Sequence, residues 1–284
     1  MSAGLLSGKV AIITGAAGGF GRVLVPALLA EGAKVAALDV NQNALAALTS
    51  ASAQRAGGGL TAKLTDISDY AACERAVKET IGEFGGLHIL INNAGLGMAA
   101  IRADCMVKPV GIREITPQMW QRFIGTNLTG AWNMTRAAID PLLDQRWGRI
   151  INVTTSFFTM LRGGFHPYGP SKAGLEAMTS GHAKEFAHSG VTVNIVVPGG
   201  PADTPMVPEA SGFTRAELIS PAVMAPPIVW LCSNAADGIT GNRYLAAMWD
   251  PARPAEEQER RCRAPAAWPD LAQNPVWPGG KPLT

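Results

Sequence analysis

Thr14-Gly15-Ala16-Ala17-Gly18-Gly19-Phe20-Gly21 is the stretch that decides the fold. A short apolar run at 9–13, KVAII, leads into it, and residues 20–31 follow with Val23, Leu24, Ala27 and Leu28 at helical spacing. The order is strand, glycine turn, helix. Pro26 removes one hydrogen bond from that helix but lies near its first turns. A second apolar run, 34–38, ends in Asp39, 24 residues after Gly15, where a βαβ unit places an acid against an adenosine ribose. Glycines let backbone approach a pyrophosphate, and the amides at the helix N-terminus meet its charge. Tight-turn glycines followed by a surface Asp are the plain alternative; the flanking strand, helix and spaced acid together favour a nucleotide.

Asp39 also bears on which nucleotide. Its carboxylate can accept from both ribose hydroxyls of NAD, whereas a 2'-phosphate would face like charge at a cost of several kcal/mol. No Arg or Lys occupies 16–20 or 40–43. The expected cofactor is therefore NAD.

The rest of the chain suits one large α/β unit. Of 284 residues 47% are apolar and 16% charged, and 32 are glycine, which fits buried strands joined by many turns. A net charge of +2 without a basic block makes nucleic acid a poor partner. The four cysteines, Cys73, Cys105, Cys232 and Cys262, show neither metal spacing nor a disulfide framework, as expected of free thiols in a reducing cytoplasm. The N-terminal residues lack the pattern of a secretory leader, and no apolar run has the length of a membrane span.

Beyond Asp39 the pattern alternates: helix 41–55, strand 59–64, helix 69–84, strand 87–91, a long helix 118–143, strand 149–153, helix 171–188, strand 190–197 and strand 243–247. Such alternation predicts a single Rossmann-fold domain over 1–250, a doubly wound, seven-stranded parallel sheet with helices on both faces. Segment 200–226 reads as a lid or as an ordinary surface loop. Residues 251–284, with Trp268, Trp277 and many prolines, read as a packed arm or as partly disordered chain.

Tyr168-Gly-Pro-Ser-Lys172 puts a phenol and an ammonium four residues apart, on one face of a helix that Pro170 can help to start. A Tyr near pKa 10 is a poor base at neutral pH. An ammonium about 4 Å away at an effective dielectric of 20 contributes about 4 kcal/mol toward the phenolate, before desolvation is counted.

The glycine turn and this pentad together resemble the short-chain dehydrogenase/reductase family over residues 7–250. The resemblance implies cofactor contacts at Gly15, Gly18, Gly19, Phe20, Gly21, Asp39, Asp66 and Ile67. It implies others at Asn92 through Gly95 (with Asn93 and Ala94), at Pro198, Gly199 and Thr204, and at Tyr168 and Lys172 themselves. It also implies that Asn127 supports a water-linked proton path. The family's usual Ser, thirteen residues before its Tyr, is here Thr155; Ser156 is the rival, and strand alternation points the two to opposite sides. Threonine keeps the hydroxyl but adds a methyl that restricts the rotamer.

The expected reaction is NAD-dependent interconversion of a secondary alcohol and a ketone, with Tyr168 as acid and base, Thr155 or Ser156 on the substrate oxygen, and no metal. Phe157, Phe158, Met160, Phe165, Met206 and loop 96–106 suggest an apolar, cyclic or aromatic substrate. The family implies a homo-oligomer, with a tetramer favoured. An NADPH-dependent carbonyl reductase and a non-catalytic NAD-binding protein are the alternatives.

Overall fold

A computed structural model describes residues 4–56 and 59–272. Seven segments form strands that run parallel: β1 (Val10–Thr14), β2 (Lys34–Asp39), β3 (Leu60–Leu64), β4 (Ile89–Asn92), β5 (Gly148–Val153), β6 (Val191–Val197) and β7 (Asn242–Leu245). An eighth, β8 (Arg263–Pro265), lies antiparallel to β7, so the sheet has eight strands rather than seven and is mostly, not wholly, parallel. Three residues between polar neighbours carry no periodic signal, which is why the sequence does not reveal this strand.

The strand order is 3-2-1-4-5-6-7-8. Chain direction across the sheet reverses between β1 and β4, and the carboxyl ends of those strands frame the crevice where open α/β sheets take ligands. β1, β4, β5 and β6 are buried along their whole length, as parallel strands covered on both faces must be. Alternate side chains divide between two cores. Ala11, Ile13, Val35 and Ile91 pack with α1 (Gly21–Ala30), α2 (Gln42–Ala56) and α8 (Ala225–Leu231). Ile12, Ala36, Leu90 and Ile150 pack with α3 (Tyr70–Phe84), α5 (Gly130–Asp144) and α7 (Tyr168–Glu185).

Local signals place the helices. Asp69 caps α3 by accepting from the Ala71 N–H, and Gly85, at φ 85°, ends it in the left-handed conformation. The long helix expected at 118–143 is α4 (Pro117–Ile124), then a π-helical turn at Gly125–Thr129, then α5. Such turns often sit at functional sites, and this one carries Asn127.

Segment 200–226 has short 3-10 turns closed on themselves, with Asp203 N–H donating to Ile219 and Ile219 N–H to Pro201. Past β7, α9 (Ala255–Cys262) and β8 return the chain to the sheet edge. Trp268 is within the described residues; Trp277 lies outside them. Among the described residues no helix is long and apolar enough to cross a membrane.

Candidate active site

Two adjoining cavities open at the carboxyl ends of the strands. The larger, about 960 Å³, is a groove over the glycine turn, with Asp39 at one end and Asn93 and Gly95 further along. The smaller, about 510 Å³, holds Thr155, Tyr168 and Lys172, and Phe20, Gly95 and Thr204 are common to both. Both volumes fall in the usual range for small-molecule sites, about 300–1,000 Å³.

Hydrogen bonds from neighbouring strand ends lock the turn. Asn93 Nδ2 donates to the carbonyls of Thr14 and Gly15, and the Thr14 hydroxyl accepts from the Asn93 and Ala94 N–H groups. Gly15, at φ 60°, is required by backbone: a Cβ there would lie 2.7 Å from Ala94 Cα. Gly18 is different, since a Cβ on it would meet only the Gly15 carbonyl at 3.4 Å. The chain itself does not demand glycine there, and the bare backbone it leaves on the groove wall suits close approach by a dinucleotide. Gly18, Gly19, Phe20, Asp66, Ile67, Ala94 and Thr204 also line this groove. Gly21 does not; it is the buried first residue of α1. Asp66 accepts from the Ser68 N–H and hydroxyl.

The second cavity is mainly apolar, with Met98, Met106, Phe158, Phe165, Met206 and Phe213 around it, and Pro198 and Gly199 on one side. Of the other aromatic and sulfur residues expected in this wall, Phe157 and Met160 lie elsewhere. The cation of Arg162 also borders it, 4.6 Å from the Phe165 ring centroid. The Thr155 and Ser156 alternatives separate here. Ser156 caps the short helix α6 (Phe157–Leu161), with its Oγ accepting from the Thr159 N–H at 3.2 Å and pairing with the Thr159 hydroxyl at 2.9 Å. Thr155 lines the cavity with Tyr168, and its side chain acts to lower the Tyr168 pKa.

Burial raises the Tyr168 hydroxyl above its ordinary value, and the Thr155 side chain pulls the other way. Burial lowers Lys172 from 10.5 to about 8. Its Nζ donates to the Val153 carbonyl at 2.8 Å. The simple picture of an ammonium bringing Tyr168 toward neutrality thus omits the larger effect, desolvation of both groups. Asn127, 1% exposed, accepts from the Leu96 N–H at 2.7 Å and donates to the Leu96 carbonyl and the Ser171 hydroxyl, each at 3.0 Å. Asn127 Oδ1 and Lys172 Nζ each lie 3.4 Å from the point a Cβ on Gly95 would occupy, so the two flank one small gap. Thr14, Ser171 and Arg162 are site residues not expected from the sequence, their types being unremarkable at those positions.

The sequence model of the short chain dehydrogenases matches residues 9–213. A 3-oxoacyl-[acyl-carrier-protein] reductase of Vibrio harveyi is 32% identical over 245 residues, 83% of this chain and 94% of the relative. An acetoacetyl-CoA reductase of Paracoccus denitrificans is 33% identical over 249 residues, 84% of this chain and 96% of the relative. The solved structure of a 3-ketoacyl-(acyl-carrier-protein) reductase from Brucella melitensis complexed with NADH superposes with a TM-score of 0.72 at 28% identity, covering 84% of this chain and 96% of that one.

These relatives correct the expectation of an NAD-dependent alcohol dehydrogenase. They are named as reductases of 3-oxoacyl and acetoacetyl thioesters, and they back the alternative of an NADPH-dependent carbonyl reductase over the assignment of NAD. Two structural facts bear on this difference. The Asp39 oxygens accept from the Ala17 and Asn41 N–H groups, both at 3.0 Å, so this acid has a structural task in holding the turn. Arg22, just beyond the 16–20 window, folds back to donate from Nε to the Ala17 carbonyl at 2.7 Å and brings a cation beside that same residue. With the fold and the sequence matches in agreement, the chain belongs to the short-chain dehydrogenase/reductase family and is an oxidoreductase acting between carbonyl and alcohol groups.

Proposed function

We propose that this protein is an NADPH-dependent carbonyl reductase that converts an apolar ketone, of the 3-oxoacyl kind its relatives are named for, into a secondary alcohol. The observation that carries this reading is the Thr155–Tyr168 hydroxyl pair in an apolar cavity that opens directly onto the dinucleotide-sized groove.

NADPH, when bound, supplies the hydride that reaches the carbonyl carbon. The groove residues Gly18, Gly19, Asn93 and Thr204 would hold it, and Arg22 would offer charge to the 2'-phosphate, offsetting Asp39. The chain's own work is on the substrate oxygen. Thr155 donates a hydrogen bond to that oxygen, and Tyr168 gives it the proton that completes the alcohol. A phenol kept protonated by burial is suited to the acid role, which is the reducing direction. Lys172 and Asn127 flank the gap over Gly95, where a water would relay a proton back toward Tyr168.

The apolar wall suits the acyl portion of a substrate, and Arg162, with no ion-pair partner among the described residues, suits a negatively charged end group. Free, buried cysteines support a reducing compartment such as the cytoplasm. Trp120 and Trp132, 42% and 46% exposed on α4 and α5, support burial against further copies of the chain, with a homotetramer as the expected state; light scattering gives the mass directly.

The test is loss of reduced-nicotinamide absorbance with acetoacetyl-CoA, longer 3-oxoacyl thioesters and simple apolar ketones. Because one structural relative is complexed with NADH, each substrate is offered NADPH and NADH. Turnover with NADPH that vanishes in Tyr168→Phe is the expected result. Turnover confined to NADH would refute the cofactor assignment, and full activity in Tyr168→Phe would refute the mechanism.

A further inference from the structure

Behind the site lies a buried ion pair that the chemistry above does not use. Tyr168, Lys172 and Glu176 recur at four-residue spacing along α7 and share one face of it. Glu176 is 0% and Arg243, on β7, 5% exposed, and Arg243 Nε donates to Glu176 Oε1 at 3.0 Å. The carboxylate also accepts from the Thr154 hydroxyl at 2.9 Å and from the Ala267 N–H at 3.3 Å. Arg243 Nη2 donates to the Thr155 carbonyl at 3.0 Å. The guanidinium lies 3.9 Å from the Phe157 ring centroid, and Trp268 packs on that same ring at 5.6 Å.

Stability alone is a weak account of such a pair, because apolar side chains of similar volume often do as well or better in its place. Its contacts have a direction instead. On one side they end on residues 154–157, the loop that carries the Thr155 hydroxyl. On the other they end on Ala267, and the next residue, Trp268, packs on Phe157 directly; the antiparallel pairing of β8 with β7 brings both to this spot. The family match ends at residue 213, well before this strand.

We propose that the C-terminal segment 263–268 is a positioning element of the active site, acting through Glu176 and Arg243 on the Thr155 backbone and through Trp268 on Phe157 at the end of the same loop, to fix where the Thr155 hydroxyl points. Glu176, Arg243 and Trp268 touch no reacting atom. They hold the loop that does. The proposal rests on the role given to Thr155 above, so its test includes a readout that needs no turnover.

That readout is the titration of Tyr168, followed as tyrosinate absorbance in the cofactor-free full-length protein and assigned by difference against Tyr168→Phe among the three tyrosines. The charged or titratable groups around its cavity are Lys172 on α7, Arg162 after α6 and Cys105 in the loop after β4; none is altered. The variants are Trp268→Ala, Trp268→Phe, and the double change Glu176→Met with Arg243→Met, which removes both charges and leaves neither one buried alone. In Trp268→Ala and in the double variant the Tyr168 midpoint moves upward, because a displaced Thr155 no longer favours the phenolate. Trp268→Phe restores it. With an active substrate, kcat falls at least about tenfold while KM for NADPH stays within about twofold. A Tyr168 midpoint and a kcat both unchanged in the folded double variant would overturn the proposal. If no substrate is turned over by the wild type, the proposed function fails while the titration still decides this one.

Discussion

Replacing Thr155 by Val tests the assignment of the substrate-orienting hydroxyl most directly. The side chain keeps its shape and loses only its oxygen, and Thr155 is half-buried, so the fold should survive. Two consequences follow from the geometry. The first is the loss of one donor to the oxygen on which charge develops during reduction, an effect that costs about 2.7–4 kcal/mol, or about 10²–10³ in kcat, when a preorganised donor is removed. Half-burial puts this site at the lower end, about 10². The second concerns Tyr168, whose hydroxyl is raised by burial and lowered by the Thr155 side chain. Without the Thr155 hydroxyl its pKa climbs further. Reduction needs the protonated phenol, so activity is lost as pH rises through the Tyr168 pKa, and in Thr155→Val this alkaline limb should move to higher pH.

The assay is kcat for NADPH-dependent ketone reduction across the pH range, with Ser156→Ala beside it. Ser156→Ala should keep most of the activity and lose helix-cap stability, about 1 kcal/mol. If Thr155→Val stays within about twofold of wild type while Ser156→Ala collapses, the reasoning from the Ser156–Thr159 cap is wrong and the hydroxyls exchange roles.

Three further outcomes are expected. Gly18→Ala should fold with unchanged or slightly raised Tm, since a Cβ there meets nothing nearer than 3.4 Å, yet raise KM for NADPH at least about tenfold; Gly15→Ala, with φ at 60° and Ala94 Cα at 2.7 Å, should instead destabilise by about 1–3 kcal/mol. Asp39→Ala should raise kcat/KM for NADPH relative to NADH severalfold while losing about 1–2 kcal/mol of stability from the unpaired Ala17 and Asn41 amides, and an unchanged cofactor ratio would count against any role for that charge. Lys172 is lowered by burial from 10.5 to about 8, so between those values the unfolded chain holds a proton that the folded one has released, and stability rises with pH by up to about 3 kcal/mol. Burial raises the Cys73 and Cys232 thiols to about 12, which acts the opposite way above pH 9, so the rise is read as a difference: the urea midpoint of the cofactor-free wild type should gain on that of Lys172→Met between about pH 8 and 10.5, the variant being inactive but more stable at pH 7.

What the sequence could reveal followed from how local each signal is. The βαβ start was legible because apolar strand, glycine turn and spaced Asp39 lie within about thirty residues, each with its own physical reason. That Tyr168 and Lys172 meet in one cavity was legible because one helical repeat separates them. The Thr155 or Ser156 choice was not, since it turns on which hydroxyl caps α6, and a five-residue helix leaves no periodic trace. The cofactor is hidden for a related cause. Position along the chain puts no cation at the turn, whereas Arg22 reaches it by folding back from the first turn of α1, a matter of side-chain direction on the helix.

The same limit explains why the C-terminal segment looked like an appendage. Its one strand among the described residues is three residues long, and its contact with the Thr155 backbone runs through an Arg and a Glu that are 67 residues apart in the chain. Yet Glu176 continues the spacing of Tyr168 and Lys172 by another four residues, and a carboxylate on the buried face of a helix must find a partner or make the fold pay in desolvation. That requirement could have been stated from the sequence; the identity of the partner could not. A charged residue continuing a catalytic face inward therefore marks a place where a remote segment must arrive with the opposite charge. Here that segment is β7, and the turn that follows β8 supplies the Ala267 amide that completes the carboxylate's shell.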